Sequence, residues 1–243
     1  MRTSHVQTAI ATGLREYART PVLLALLVVA PAYLVGLFGY AAPDTLVPVD
    51  VPNSGQTMVP LADVLTVLGV VLVAAMVGGL VGLFVVQSAT NADGRLVIAG
   101  FAPASILLAR GTLVAAAATA TVSVSMAVAL VVFSPANALG LAVAGLLTAL
   151  SYGLVGVVVG TQVDRLAGVW ILLFAPLLDV VLYQNPLAAE TKTLATLLPS
   201  HAAMRLAVDA GFGSGLDWSP LVPAVMYFVG TAVVATVLYY RRT

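Results

Sequence analysis

Ionisable side chains are scarce in this sequence, and one of them lies inside an apolar run. Asp179 follows Pro176 within a stretch long enough to cross a membrane. A carboxylate at the centre of a membrane helix costs about 2.5–3.5 kcal/mol on insertion scales, so such residues are candidates for ion or substrate transfer. Because Asp179 lies near the end of its run, just before Tyr183, a hydrated cavity that solvates its charge is the alternative explanation.

Hydroxyl residues form a second polar group in an earlier apolar run. In a helix, Thr119 stacks on Ser123 and Thr121 stacks on Ser125. We therefore add Thr119 and Ser123 to Asp179 as a candidate transport path. Hydrogen bonding between helices is the commoner role of such hydroxyls in membranes, and it is the competing interpretation.

Several other chemistries are excluded by residue type. The sequence contains no cysteine, which removes disulfides, thiol catalysis and Cys-based metal sites. His5 and His201 are far apart and neither has a second ligand nearby, so we predict no metal site and no cofactor on this chain. No G-x-x-x-x-G-K-[ST] loop is present to hold ATP phosphates, and we do not expect an enzyme. The net charge of zero gives no indication of a nucleic-acid partner.

The composition indicates that lipid is the solvent for most of the chain. Apolar residues make up 61% of the 243 residues and the mean hydropathy is +1.08, more than one soluble core can bury. A bilayer core of about 30 Å needs about 20 helical residues. We predict an all-α membrane protein with six spans: Pro21–Tyr40, Ala62–Ser88, Ile106–Phe133, Ala138–Thr161, Ala167–Tyr183 and Leu221–Tyr240.

The basic residues predict the orientation of these spans. With the N-terminus in the cytoplasm, eight of the ten basic residues fall on the inner side and only Lys192 and Arg205 fall outside. This positive-inside bias predicts a multi-pass protein of the cell membrane with both termini in the cytoplasm. The inner residues are Arg2, Arg15, Arg19, Arg95, Arg110, Arg165, Arg241 and Arg242.

The chain reads as one transmembrane domain over residues 1–243. Apolar residues recur at helical spacing from Val6 to Tyr17, which predicts that residues 1–20 form a helix in the cytosolic interface. The bundle then occupies 21–243. A signal peptide is the rival interpretation of the first apolar run, but that run is longer than a signal peptide requires.

Small residues predict where helices touch. Gly78 and Gly82 form a GxxxG motif in the second span, and Gly156 and Gly160 form one in the fourth. Glycine allows two helix backbones to approach closely in a membrane. These motifs therefore indicate tight packing and do not identify a partner.

The two long outer segments differ. The first, between spans one and two, is rich in proline and predicts an extended or turn-rich loop. The last, Glu190–Gly215, contains two short helical patterns that neither span nor read as loop, and we predict an interfacial or re-entrant segment. Pro199 splits the two patterns, Ser200 is a candidate cap for the second helix, and Gly211 or Gly213 ends that helix. His201, Arg205 and Asp209 lie on the second helix, and Arg205 and Asp209 are at the i,i+4 spacing of an ion pair.

The inner segment Asn91–Leu113 is too broken to span and too apolar for a simple linker. Asn91 or Asp93 is a candidate cap for a short helix starting near Gly94, and Gly100 and Pro103 then break it. A helix that lies across the cytosolic membrane face in this way predicts a surface for another protein.

This arrangement resembles the ABC-2 type permease subunits of ABC transporters. The resemblance rests on the order of elements and on an acid and a glycine before a short apolar helix, followed by Pro-x-Ser, a basic residue and a new span. It implies an exporter, a homodimer or a pair with a similar permease, and a separate cytosolic ABC ATPase that binds ATP and Mg and docks on this coupling helix. The residues that the resemblance assigns to coupling are Asp93, Gly94, Pro103, Ser105 and Arg110, with Asn91 and Arg95 beside them.

Two other functions remain open. An ion-coupled secondary transporter would use Asp179 as its ion site, although such proteins usually contain internal repeats that we do not find here. An intramembrane enzyme would need several ionisable groups at one depth, and Asp179 is nearly alone.

Overall fold

A computed structural model describes most of the chain. It covers residues 21–43, 45–52, 54–98, 103–188, 193–215 and 217–240. The predicted interfacial helix over residues 1–20 lies outside these residues and stays a prediction.

The described chain is mostly helical, with one β-hairpin. In chain order its elements are α1 (Pro21–Ala41), β1 (Leu46–Val51), β2 (Gly55–Pro60), α2 (Leu61–Ile98), α3 (Pro103–Val132), α4 (Ala138–Gln162), α5 (Arg165–Leu177), a π-helix (Leu178–Tyr183) that continues α5, a 3-10 helix (Thr193–Leu197), α6 (His201–Phe212) and α7 (Leu221–Tyr240).

Five helical stretches of the described chain are long and apolar enough to cross a membrane. They match the second to sixth predicted spans, because long apolar runs with few charges favour helices whose backbone groups are satisfied internally. The first predicted span forms α1, which is not among these five, so the count of six stays a prediction. The five are Leu61–Ser88, Leu108–Val132, Ala138–Gln162, Arg165–Tyr183 and Leu221–Tyr239.

Helix α2 is the centre of the bundle. It packs against α1, α3, α4, α5 and α6, and its contact with α4 is the most extensive in the molecule. A Cβ atom added at Gly82 would collide with the carbonyl oxygen of Gly153, and one at Gly156 would collide with that of Gly79. The close packing predicted from the two glycine motifs is confirmed.

The proline-rich outer loop forms a hairpin, so the expectation of an all-α fold is wrong in this part. Strands β1 and β2 are antiparallel, and Gly55, the first residue of β2, has a φ of 74°, a conformation that favours glycine. Val49 and Val51 are buried, whereas Pro48 and Asp50, which directly precede them, are exposed. This alternation is a strand signal, but the prolines argued against a strand in the sequence. They are compatible with the hairpin because proline is tolerated where a strand has an unpaired edge.

The separate coupling helix predicted on the cytosolic side is not present in the described residues. Helix α2 runs without interruption to Ile98 and contains Asn91, Asp93, Gly94 and Arg95, so neither predicted cap begins a helix. A single internal glycine costs only about 1 kcal/mol and does not stop a helix.

Helix α3 begins on the far side of this connection. Pro103 occupies its first position, where a missing N–H group is tolerated, and Ser105 and Arg110 follow within the same helix. These three residues therefore start the next span instead of ending a short helix. The predicted coupling residues lie at the adjoining ends of α2 and α3.

The segment after the fifth span contains two short helices separated at Pro199, as predicted. The second of them, α6, is buried against α2, α4 and α7, with Leu206 and Ala207 fully enclosed. Its C-terminal end meets the start of α4, because the Asn137 N–H donates to the Ala210 carbonyl oxygen at 2.7 Å. Helix α6 thus packs into the bundle, while its placement on the outer side of a membrane stays a prediction.

Candidate functional site

Asp179 lies in the π-helix that ends the fifth predicted span. Pro176 precedes it, and proline removes one backbone donor from the helical ladder. Single turns of π-helix inside α-helices are frequently found at functional sites. Only 2% of Asp179 is exposed, so its charge is removed from solvent.

Three protein donors satisfy the Asp179 carboxylate. The Tyr152 hydroxyl of α4 donates to Oδ2 at 2.6 Å, and the Ser200 backbone N–H donates to the same oxygen at 3.1 Å. The Gln184 side-chain amide donates to Oδ1 at 3.3 Å. A buried charge is tolerated only when it is paired or hydrogen-bonded, and these bonds meet that need. Protein groups, not an open hydrated cavity, therefore accommodate the charge.

Gln184 extends the network towards the surface. Its Nε2 also donates to the Ala195 carbonyl oxygen at 2.8 Å, and its Oε1 lies 2.9 Å from Nδ1 of His201. Because Nε2 faces two acceptors, Oε1 must be the acceptor for His201, and this assigns the proton of the neutral imidazole to Nδ1. Asp179, Gln184 and His201 form one continuous chain of hydrogen bonds.

His201 is held mainly in its neutral form. Burial lowers its pKa below the ordinary value of 6.5, and the positive charge of Arg205 lowers the pKa further. Asp179 acts in the opposite direction and is the weaker influence. At neutral pH the imidazole is thus a hydrogen-bonding group rather than a cation.

A cavity of about 790 Å³ lies beside this network. We call it the hairpin cavity, because the exposed face of the hairpin forms one of its walls. The chain after the π-helix and the first turns of α6 form the others. Its lining residues are Pro48, Asp50, Pro52, Gln56, Tyr183, Gln184, Asn185, Pro186, Leu187, Ala188, Thr196, His201, Met204, Arg205 and Val208.

The hydroxyl path predicted along the third span is not joined to Asp179. Thr119 and Ser123 are exposed on the outside of the bundle, and the Thr119 hydroxyl donates to Ala115 of its own helix. Thr121 and Ser125 are fully buried, and their hydroxyls have no hydrogen-bond partner within the described structure. The helical period places the two pairs on different faces, and packing decides which pair is enclosed.

The predicted i,i+4 ion pair of Arg205 and Asp209 does not form in the described structure. Arg205 is exposed and faces the hairpin cavity. Asp209 is buried and accepts from the backbone N–H of Asp217 at 2.6 Å. The predicted end of the helix at Gly213 is confirmed, whereas the Ser200 hydroxyl makes no capping bond.

Sequence reasoning missed two members of the network, Tyr152 and Gln184. Tyr152 is 2% exposed in the middle of an apolar helix. A tyrosine in such a position needs a partner for its hydroxyl, which is the one signal that pointed to it. Gln184 directly follows the span and gave no signal of its own.

Other kinds of site receive no support from the described residues. No group of three or more His, Asp or Glu side chains within the described ranges is placed to hold a metal ion. Comparisons of the chain with models of known families, with curated proteins and with solved structures give no match.

Proposed function

We propose that this chain is the membrane-spanning permease subunit of an ATP-driven transporter of the ABC-2 type. It works as an exporter in the cell membrane, as a homodimer or with a similar permease. A separate cytosolic ATPase binds ATP and Mg and supplies the energy. The observation that carries this proposal is the length and central position of α2.

Helix α2 is longer than a membrane requires. Its 38 residues extend about 57 Å at 1.5 Å per residue, whereas a bilayer core is about 30 Å thick. The membrane-length apolar part ends at Ser88, and the helix continues to Ile98 through the residues that the resemblance assigns to ATPase docking. In this proposal the ATPase contacts the projecting end of α2 and the adjoining start of α3.

The packing of α2 allows it to transmit movement from one end of the bundle to the other. Backbone contacts through Gly82 and Gly156 leave no flexible side chain between α2 and α4, so a displacement of one helix moves the other. At its other end, α2 begins at Leu61, directly after Pro60 of the hairpin. A movement at the docking end would therefore shift the hairpin against α6 and change the shape of the hairpin cavity.

Site-directed crosslinking tests this proposal. The sequence has no cysteine, so a cysteine replacing Asn91 is the sole attachment point for a thiol-linked photo-crosslinker. In native membranes it should capture an ATPase bearing a P-loop, and the same reagent at Ser54 should not. Equal capture from both positions, or no ATPase from Asn91, would contradict the docking assignment.

An ion-coupled secondary transporter is the second candidate, and the burial of Asp179 in a span favours it. The three donors around the carboxylate weigh against it, because a coupling ion would have to displace at least one of them. Transport in proteoliposomes that follows an imposed ion gradient without ATP, and that Asp179→Asn abolishes, would establish this alternative.

A further inference from the structure

The hairpin cavity has a charge pattern that the proposed function does not use. Among its described lining residues, Asp50 is the one carboxylate and Arg205 is the one permanent cation. Asp50 belongs to β1 and Arg205 belongs to α6, so the two charges come from different walls. Both residues are exposed, and they form no ion pair with each other.

The rest of the lining is mixed. Gln56, Asn185 and Thr196 offer hydrogen-bonding groups, while Met204 and Val208 offer apolar surface. A volume of about 790 Å³ lies within the range of about 300–1,000 Å³ typical of small-molecule sites. The cavity therefore has room for a ligand of a few tens of atoms.

We propose that the hairpin cavity binds a small zwitterion, with the anionic group of the ligand at Arg205 and its cationic group at Asp50. Arginine binds carboxylate and phosphate groups through paired N–H donors, and a carboxylate accepts from an ammonium group. His201, which is neutral, lies one helical turn from Arg205 and adds hydrogen-bonding capacity at the anionic end. Met204 and Val208 receive a short apolar part of the ligand.

A zwitterion fits these walls better than a singly charged ligand. A simple anion would bring a negative charge into the cavity that holds Asp50, and a simple cation would meet Arg205. A ligand with both charges neutralises both walls at once. Amino acids and short peptides share this chemistry with the ethanolamine phosphate headgroup of lipids, and the experiment below separates these sources.

Binding of the dipeptide Leu-Leu to the detergent-solubilised full chain is the primary test. Its N-acetylated form retains only the negative charge, and its C-terminal amide retains only the positive charge. Calorimetric titration should show that Leu-Leu binds about tenfold or more tightly than either blocked form, because each blocked form loses one charge-assisted contact. Glycerophosphoethanolamine is titrated in parallel, and tighter binding of that compound would assign the site to lipid headgroups.

Variants connect the binding to the two walls. Arg205→Ala and Asp50→Ala should each weaken binding of the preferred zwitterion about tenfold, and Arg165→Ala at the far end of the bundle should not. Exchange of the two charges, Asp50→Arg with Arg205→Asp, should recover part of the loss because the ligand can bind in reverse. Thermal unfolding of each variant verifies its fold.

Two results would overturn the inference. One is the absence of saturable binding of both zwitterions at millimolar concentration. The other is equal affinity for a zwitterion and its singly charged forms. Neither assay requires an ATPase, so this inference and the proposed function fail independently.

Discussion

Replacing Tyr152 with phenylalanine removes one hydroxyl from the buried network and leaves the ring in place. That hydroxyl donates to Oδ2 of Asp179 at 2.6 Å. Tyr152 is fully enclosed, so the substitution creates no cavity beyond the volume of one oxygen atom. The Asp179 carboxylate retains the Ser200 N–H and the Gln184 amide as donors. The measured effect therefore reports the bond itself.

The expected cost follows from the charge on Asp179. A hydrogen bond to a charged group contributes about 1.5–3 kcal/mol to stability. Because the carboxylate keeps its two other donors, we expect the loss of this bond to cost about 2 kcal/mol. For a protein of this size, 1 kcal/mol shifts Tm by about 2–4 °C, so Tyr152→Phe should lower Tm by about 4–8 °C.

Asp179→Asn should cost more than Tyr152→Phe. The new NH₂ group of the asparagine replaces one of the two carboxylate oxygens. It then faces either the Gln184 amide or the pair formed by the Ser200 N–H and the Tyr152 hydroxyl. In both orientations at least one donor loses its acceptor. Gln184 cannot turn its amide without losing its bonds to Ala195 and His201.

A double-mutant cycle measures the coupling between the two positions. Thermal unfolding in detergent, followed by the fluorescence of Trp170 and Trp218, supplies the four stabilities. Once Asp179→Asn has removed the charge, Tyr152→Phe should cost much less, which gives a coupling of about 1–2 kcal/mol. Additive effects within about 0.5 kcal/mol would refute the assignment of a charge-assisted bond.

Three further predictions concern packing, pH and topology. Gly82→Leu should prevent the close contact of α2 with α4 and reduce the yield of folded protein in size-exclusion chromatography, whereas Gly230→Ala, with open space around it, should not. Because the pKa of His201 is lower in the folded chain, the unfolded chain takes up a proton at this residue at a higher pH than the folded chain does. The contribution of His201 to stability is therefore complete above pH 6.5 and decreases as the pH falls below that value. Arg205→Gln should reduce this loss in thermal unfolding scans, because the charge of Arg205 helps to lower the pKa. A cysteine at Ser54 should react with a membrane-impermeant reagent from outside the cell and a cysteine at either terminus should not; the reverse pattern would reject the predicted orientation.

Much of the helical framework could be predicted because it is specified locally. The sequence predicted Ala138–Thr161 and Leu221–Tyr240, and the structure has Ala138–Gln162 and Leu221–Tyr240. Asn137 explains the first boundary, since its side chain accepts from the Gly140 N–H as a helix cap. Long apolar runs flanked by caps and turns carry this information in neighbouring residues.

The remainder depends on contacts between distant residues. Nothing near Gly94 indicated that α2 would continue through it, because glycine is tolerated in a helix that packing stabilises elsewhere. Gln184 is a local partner of Asp179, but the other two partners, Tyr152 and Ser200, come from distant segments of the chain. Their meeting depends on the position of α6 within the bundle, which no local pattern encodes.

The most direct test of the permease proposal is ATPase activity of the complex in nanodiscs. Arg95→Glu reverses a charge in the last turn of α2, where the proposal places the ATPase, and Arg165→Glu reverses one at the start of α5 as a matched control. Charges at the rim of an interface steer and orient association, so Arg95→Glu should weaken docking of the ATPase and lower transport-coupled ATP hydrolysis while the permease stays folded. Arg165→Glu should retain near-normal coupling. Full coupling in Arg95→Glu, or equal losses in both variants, would contradict docking at this end of α2.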